Sequence, residues 1–135
     1  MKFNILLIDD DEVDCINIQR TFKKLNISNP LHIVNDGVEA LDFLDEKGEG
    51  IKPLLILLDL NMPRMDGHEF LVELRKRELF AITPVVVLTT SNDEEDKRKA
   101  YENTVSGYIV KPVDPMDFIE RTAVLGKYWT LCEIP

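Results

Sequence analysis

Positive charge is in short supply in this chain: 16 lysines and arginines face 25 aspartates and glutamates, a formal net charge of -9. A surface of that sign repels the phosphates of nucleic acids and of anionic lipids, so neither is an expected partner. Long apolar runs are missing as well, and none approaches the roughly 20 residues that cross a bilayer. The N-terminal MKFNILLIDDDE meets acids after a single lysine and shows no small-residue cleavage site. The expectation is a cytoplasmic protein with no signal peptide and no membrane contact. Cysteine is limited to Cys15 and Cys132, too far apart for a metal-ligand spacing, and the pair reads as two free thiols. His32 and His68 lack ligating partners at useful spacing and read as surface or edge residues. No G-x-x-x-x-G-K-[ST] loop occurs, which disfavours nucleotide binding by a phosphate loop. Repeats, low-complexity tracts and linkers are absent too, so residues 1–135 read as one domain.

What is present is organised around Leu54 to Gly67, LLILLDLNMPRMDG. Leu54 to Leu58 is apolar throughout and stops on Asp59. A run that short, closed by turn chemistry, reads as a strand buried on both faces of a parallel sheet. Pro63 and Asp66-Gly67 keep the next segment a loop before a helix resumes. Phe3 to Ile8 is a second such strand, running into Asp9, Asp10 and Asp11. Asp11 caps a helix reaching about Leu25, with Asp14 three residues on in a capping-box arrangement. Leu31–Val34, Val85–Leu88 and Gly107–Val110 are three further strands. The intervening helices open on Asp36 with Glu39, Asp66 with Glu69, Asn92 with Glu95, and Asp114 followed by Pro115; Gly126 is expected to end the last. Strand then helix, five times over, calls for right-handed crossovers. The fold is then α/β and flavodoxin-like: a doubly wound sheet of five parallel strands, order 2-1-3-4-5, with helices on both faces.

In such sheets ligands bind at the carboxyl edge of the strands. The residues delivered there are Asp9 and Asp10, Asp59, Thr89 and Thr90, and Lys111. Singly, each acid reads equally as a helix cap or a solvated loop residue. Jointly they demand compensation, because two carboxylates about 4 Å apart repel by about 4 kcal/mol at an effective dielectric near 20. Lys111 supplies one positive charge; a hard divalent cation with oxygen ligands, Mg2+, would supply the rest. One carboxylate can then attack phosphorus while lysine and metal absorb charge on the transferring group.

Taken in order and spacing, these features resemble the receiver domain of two-component response regulators over about residues 3 to 125. The resemblance is carried by Asp9-Asp10, the strand ending in Asp59, the turn Asn61-Met62-Pro63 with Asp66-Gly67, Thr89, and Tyr108-Ile109-Val110-Lys111-Pro112. It implies that Asp59 is the phosphoacceptor, and that Asp10, Asp59 and the backbone carbonyl of Asn61 bind Mg2+ with Asp9 contributing through water. Lys111 would hold a phosphoryl oxygen, and Thr89 would donate its hydroxyl to the phosphoryl group once attached. The donor implied is the phosphohistidine of a sensor histidine kinase, with no catalysis beyond the chain's own phosphorylation and dephosphorylation. Thr89 and Tyr108 are then switch residues: the aromatic turns inward, repacking the surface of the fourth helix, fifth strand and fifth helix for protein binding or dimerisation. A cis Lys111-Pro112 bond is also implied.

The last ten residues, GKYWTLCEIP, form a C-terminal extension over 126–135. Tyr128, Trp129, Leu131 and Ile134 are too apolar for a frayed terminus; the tail either packs back on its own domain or extends a homodimer or partner surface. This tail and LDLNMPRMDGHEFL resemble the single-domain regulators that partner bacterial phytochrome-type histidine kinases. The basic runs Arg75-Lys76-Arg77 and Lys97-Arg98-Lys99 read as solvated helix faces. Two other classes are weighed. An aspartyl-nucleophile phosphohydrolase is disfavoured because Asn61 stands where that chemistry places a second acid. A phosphate-independent docking module is disfavoured by the complete set of acids, hydroxyl and amine.

Overall fold

Each short apolar run becomes a strand and each acid-capped segment a helix. The computed structural model describes residues 2–135. In chain order the elements are β1 (Asn4–Ile8), α1 (Glu12–Lys24), β2 (Leu31–Val34), α2 (Gly37–Lys47), β3 (Leu54–Leu58), α3 (Gly67–Lys76), β4 (Val85–Thr89), α4 (Glu94–Glu102), β5 (Gly107–Val110) and α5 (Pro115–Leu131), with short 3-10 turns after α2 and α3. The strands form one parallel sheet in the order β2-β1-β3-β4-β5. The caps are those the side chains favour: Asp11, Asp36, Asp66, Asp93 and Asp114 each accept from backbone N–H groups of the first turn. Asp66 and Glu69 complete a reciprocal capping box. For α4 the cap is Asp93, one residue beyond the expected Asn92.

Strand periodicity divides the core into two layers. Leu6, Ile8, Leu54, Ile56, Leu58, Val85 and Val87 face α2, α3 and α4, where Leu44, Phe70, Leu71, Leu74 and Ala100 meet them. Ile5, Leu7, Leu55, Leu57, Val86 and Leu88 face α1 and α5, against Ile18, Phe22, Phe118 and Leu125. The central strand β3 is covered on both sides, which explains its unbroken LLILL. Each leucine or isoleucine so buried contributes about 1.5–3 kcal/mol.

Three sequence expectations need correction. Gly126 does not end α5; the helix runs on to Leu131. A Cβ at Gly126 would lie 2.8 Å from Ile27 Cδ1 and 2.9 Å from Phe22 Cε1, so the glycine lets α5 close on α1 and the loop behind it. Trp129 and Ile134 consequently pack against the α1/α5 core layer, while Tyr128 and Leu131 stay exposed. Lys111-Pro112 is not cis; among the described residues the cis bond is Lys52-Pro53.

The third correction concerns Arg75-Lys76-Arg77, which is not a merely solvated face. Arg75 is half-buried and donates to five backbone carbonyls: Nε to Asn103 (2.9 Å), one terminal nitrogen to Phe80 (3.1 Å), Ala81 (3.3 Å) and Thr83 (2.8 Å), and the other to Thr104 (3.3 Å). One guanidinium thus ties the end of α3 to the approach to β4 and to the turn before β5. Arg77 forms a two-pronged pair with Asp45, at 2.8 and 2.9 Å. Arg75→Met should lower stability by about 2–3 kcal/mol, the scale of charge-assisted hydrogen bonds removed from partly buried acceptors. Arg75→Lys should recover less than half, since a point donor cannot reach five carbonyls fanned around a plane. Urea unfolding checks both; a change under about 0.5 kcal/mol for the Met variant, the range of an ordinary surface substitution, would mean that water replaces the fork. The run Lys97-Arg98-Lys99 does lie on the exposed face of α4, where Lys97 pairs with Glu94, and Arg98 with Glu95 and Glu102.

Candidate functional site

Sheet register converges the chemistry on one edge. Ile8 pairs with Leu58, so the residues that follow, Asp9 and Asp59, emerge side by side. Asp59 N–H donates to the Ile8 carbonyl at 2.9 Å and Asp9 N–H to the Val34 carbonyl at 3.1 Å, which carries the ladder one residue past the strands. Thr89 pairs with Val110, and Lys111 N–H bonds the Thr89 carbonyl at 2.6 Å, so the lysine leaves from the same edge.

There the Lys111 ammonium is 2.9 Å from Asp9, 2.8 Å from Asp14 and 3.5 Å from Asp59. Lys111 is 8% exposed, Asp9 1% and Asp59 7%, so these charges are largely out of water. Burial pushes the Asp9 carboxyl up from 3.8 to about 6, against the hydrogen bond and charge of Lys111. Burial alone would lower the Lys111 pKa, but hydrogen bonds to Asp14 and Asp9 and the charge of Asp59 hold it above the ordinary lysine range. The neighbouring Cys15 thiol, buried and facing the same acids, is pushed up to about 12 and is therefore chemically quiet.

Asp9, Asp10 and Asp59 each offer a carboxylate oxygen within 4.8 Å of the others. All-oxygen donors, with Asp10 exposed and the other two buried, suit a hard divalent cation that keeps open positions for water or phosphate. Asn61 lies beside them, its N–H 3.4 Å from Asp59 Oδ1. Thr89 is fully buried at the end of β4, and its hydroxyl oxygen lies 3.4 Å from the N–H of Ser91. Tyr108 stands apart from the acids: its ring packs on the α2–α4 core layer and its hydroxyl donates to the Ser91 carbonyl at 2.9 Å.

The loop that carries Asn61 is pinned from two sides. Gly67 N–H bonds the Leu60 carbonyl, and a Cβ at Gly67 would come within 2.7 Å of the Asp59 carbonyl oxygen, so only glycine lets α3 start this close to the site. Across the loop, Arg64 forks onto Asp36 at 2.7 and 3.1 Å, and this guanidinium holds the Asp36 carboxyl below the usual range. Arg64 adopts φ +61°, a left-handed conformation that most side chains avoid; its pairing with a buried acid offsets that cost.

Two parts of the site lie outside the sequence expectations. Asp14, expected only in a helix cap, turns to Lys111. His68, expected at the surface without partners, sits half-buried with Nε2 2.8 Å from Asp96, which also accepts the Ser91 hydroxyl at 2.6 Å. These two bonds, Ser91 before His68, hold the Asp96 carboxyl below its usual range. Partners 28 residues apart share no local pattern, and the one available signal is the surplus of acids near the strand exits.

A parallel five-stranded sheet bearing acids and one lysine on a common edge defines a class, and residues 5–123 match the response regulator receiver domain model. The chain belongs to that family: it is a response regulator receiver domain. It is 38% identical over 128 residues to response regulator Rcp1 of Synechocystis, covering 93% of this chain and 87% of that protein. Over 129 residues it is also 38% identical to a probable methanogenesis regulatory protein, FilR2, of Methanothrix harundinacea, covering 94% and 83%. Among solved structures, the Mn(2+)-bound form of Rcp1 superposes with a TM-score of 0.89 at 36% identity, covering 98% and 99% of the two chains. The phosphorylated cyanobacterial phytochrome response regulator RcpA gives 0.89 at 31% identity, covering 100% and 99%. No helix among the described residues is long and apolar enough to cross a membrane.

Proposed function

We propose that Asp59 accepts a phosphoryl group from the phosphohistidine of a sensor histidine kinase, of the phytochrome type by analogy with RcpA, in the cytoplasm. The observation that carries the reading is a buried lysine shared among acids from three elements, beside a three-carboxylate cluster. An Asp59 oxygen attacks phosphorus in line; the O–P bond forms as the N–P bond breaks, and the protonated imidazole leaves with the bonding pair as a neutral ring. Lys111 holds a phosphoryl oxygen and neutralises charge as it shifts. Asp9, Asp10, Asp59 and the Asn61 carbonyl would hold the cation, taken as Mg2+, which supplies further screening of the phosphoryl oxygens. Water later cleaves the acyl phosphate at phosphorus, returning Asp59 as a carboxylate and releasing phosphate; the chain catalyses nothing beyond this cycle.

The attached group brings up to two negative charges and new acceptors. Thr89 turns its hydroxyl to them, and the loop to Ser91, which holds Tyr108, follows. The surface of α4, β5 and α5 thereby shifts between two populations. Its exposed apolar residues Tyr101, Val124, Tyr128 and Leu131 support output by dimerisation or partner binding, with the 126–135 extension of this one receiver domain included in that surface.

The test is incubation with Mg2+ and acetyl phosphate, followed by intact mass and a peptide map. A gain of one phosphoryl group on the peptide holding Asp59, dependent on Mg2+, is expected. Absence of uptake, or uptake mapped to another residue, would overturn the assignment.

A further inference from the structure

The Lys111 ammonium has three N–H donors and three acid partners. Asp9 and Asp14 take the two short contacts, 2.9 and 2.8 Å, and Asp59 takes the long one at 3.5 Å. A phosphoryl oxygen arriving at Lys111 takes the place of the long Asp59 contact and competes with Asp9 and Asp14 for the charge of the ammonium. Asp9 is 1% exposed and further tied by the Asp11 N–H at 2.9 Å, so it cannot swing away. Asp59 carries the group being held. Asp14, its side chain 20% exposed in the first turn of α1, is the partner at the rim, and its release returns a carboxylate to water. The same carboxylate sets a negative charge at the rim of the site, next to the lysine that an anionic donor must reach.

We propose that Asp14 is a resting-state guard: it neutralises Lys111 and repels small anionic donors, so that moving or neutralising it speeds phosphorylation. Val13 and Ile16 are exposed apolar residues of the same helix, at 66% and 43% exposure, so a protein donor docked on α1 would cover the rim and compensate the charge as it arrives. A small donor has no such means. Asp14 is thereby a specificity-determining residue favouring a docked protein donor over free acyl phosphates. The inference rests on the assignment of Asp59 as acceptor.

The experiment measures phosphoryl uptake from subsaturating acetyl phosphate with Mg2+ in the parent, Asp14→Asn, Asp14→Ala and Asp14→Glu, alongside urea midpoints without donor. The Asn and Ala variants should react roughly five- to tenfold faster, the scale set by removing one like charge from a partly solvated approach. Their urea midpoints should be equal or lower, because an ion pair is removed. Faster uptake without a gain in stability separates a guard from a structural acid, whose removal would lower both. Asp14→Glu, which keeps the charge, should stay within about twofold of the parent, and added salt should narrow the gap between Asn and parent. Uptake by the parent without acceleration in Asn and Ala would overturn this inference alone. No uptake by the parent would overturn the acceptor assignment and this inference together.

Discussion

Asp59→Asn should bring hydroxylamine-labile phosphate incorporation to background while leaving the metal-free protein as stable as the parent or more stable. The first effect is chemical: an amide oxygen carries no full charge and is a poor nucleophile toward phosphorus. The second follows from crowding. Asp59 lies against Asp9, whose carboxyl is already pushed up to about 6 by burial, with the Asp59 charge adding to the shift. Removing that charge relieves repulsion, and the Asp59–Lys111 pair it weakens is the longest of the three that the lysine makes. Sites built for chemistry commonly hold such unfavourable charge. Labelling at the parent's level would move the acceptor elsewhere, and a clear drop in stability on metal-free urea unfolding would contradict the crowding.

Lys111→Met should cost about 3–5 kcal/mol near neutral pH in EDTA, the range for stripping one partner from a buried ion pair. Asp9, at 1% exposure, would then face Asp14 and Asp59 without a cation. The pH dependence has a definite sign. A carboxyl whose folded pKa lies above its unfolded value takes up its proton in the native state first. Stability from this group therefore rises as pH falls through the folded pKa towards 3.8 and is level below that. Lys111 is what restrains the upward shift, so its removal moves the folded pKa above 6, and the deficit of the Met variant should shrink as pH drops from about 7.5 to 5. Asp36, Asp45 and Asp96, all held below 3.8, keep their stabilisation across that range in both proteins and lose it only at lower pH. Parallel stability curves across that range would show that the lysine does not compensate Asp9. Adding Mg2+ near neutral pH should recover part of the deficit in the variant.

Most of the architecture was legible because it is set by residues close together in the chain. Five consecutive apolar residues ending on Asp59 can satisfy their side chains only when covered on both faces, and the Asp36, Asp66 and Asp114 caps work within one helical turn. Once strand and helix alternate, handedness leaves few arrangements, and the 2-1-3-4-5 sheet follows. Asp9, Asp10, Asp59 and Lys111 could be grouped in advance because strand ends in a parallel sheet share an edge.

What the fold alone decided are the pairings between separate elements. Asp14 turns from its helix to a lysine 97 residues later (111 - 14), Arg64 reaches Asp36, His68 reaches Asp96, and Arg75 gathers carbonyls from two separate turns. Gly126 reads as a stop in isolation, yet it stays helical because Phe22 and Ile27 press where a side chain would stand. Local sequence specifies backbone conformation through short-range sterics and caps. The partner a charged or small residue meets depends on how whole elements dock, and that is a sum over contacts distant in the chain.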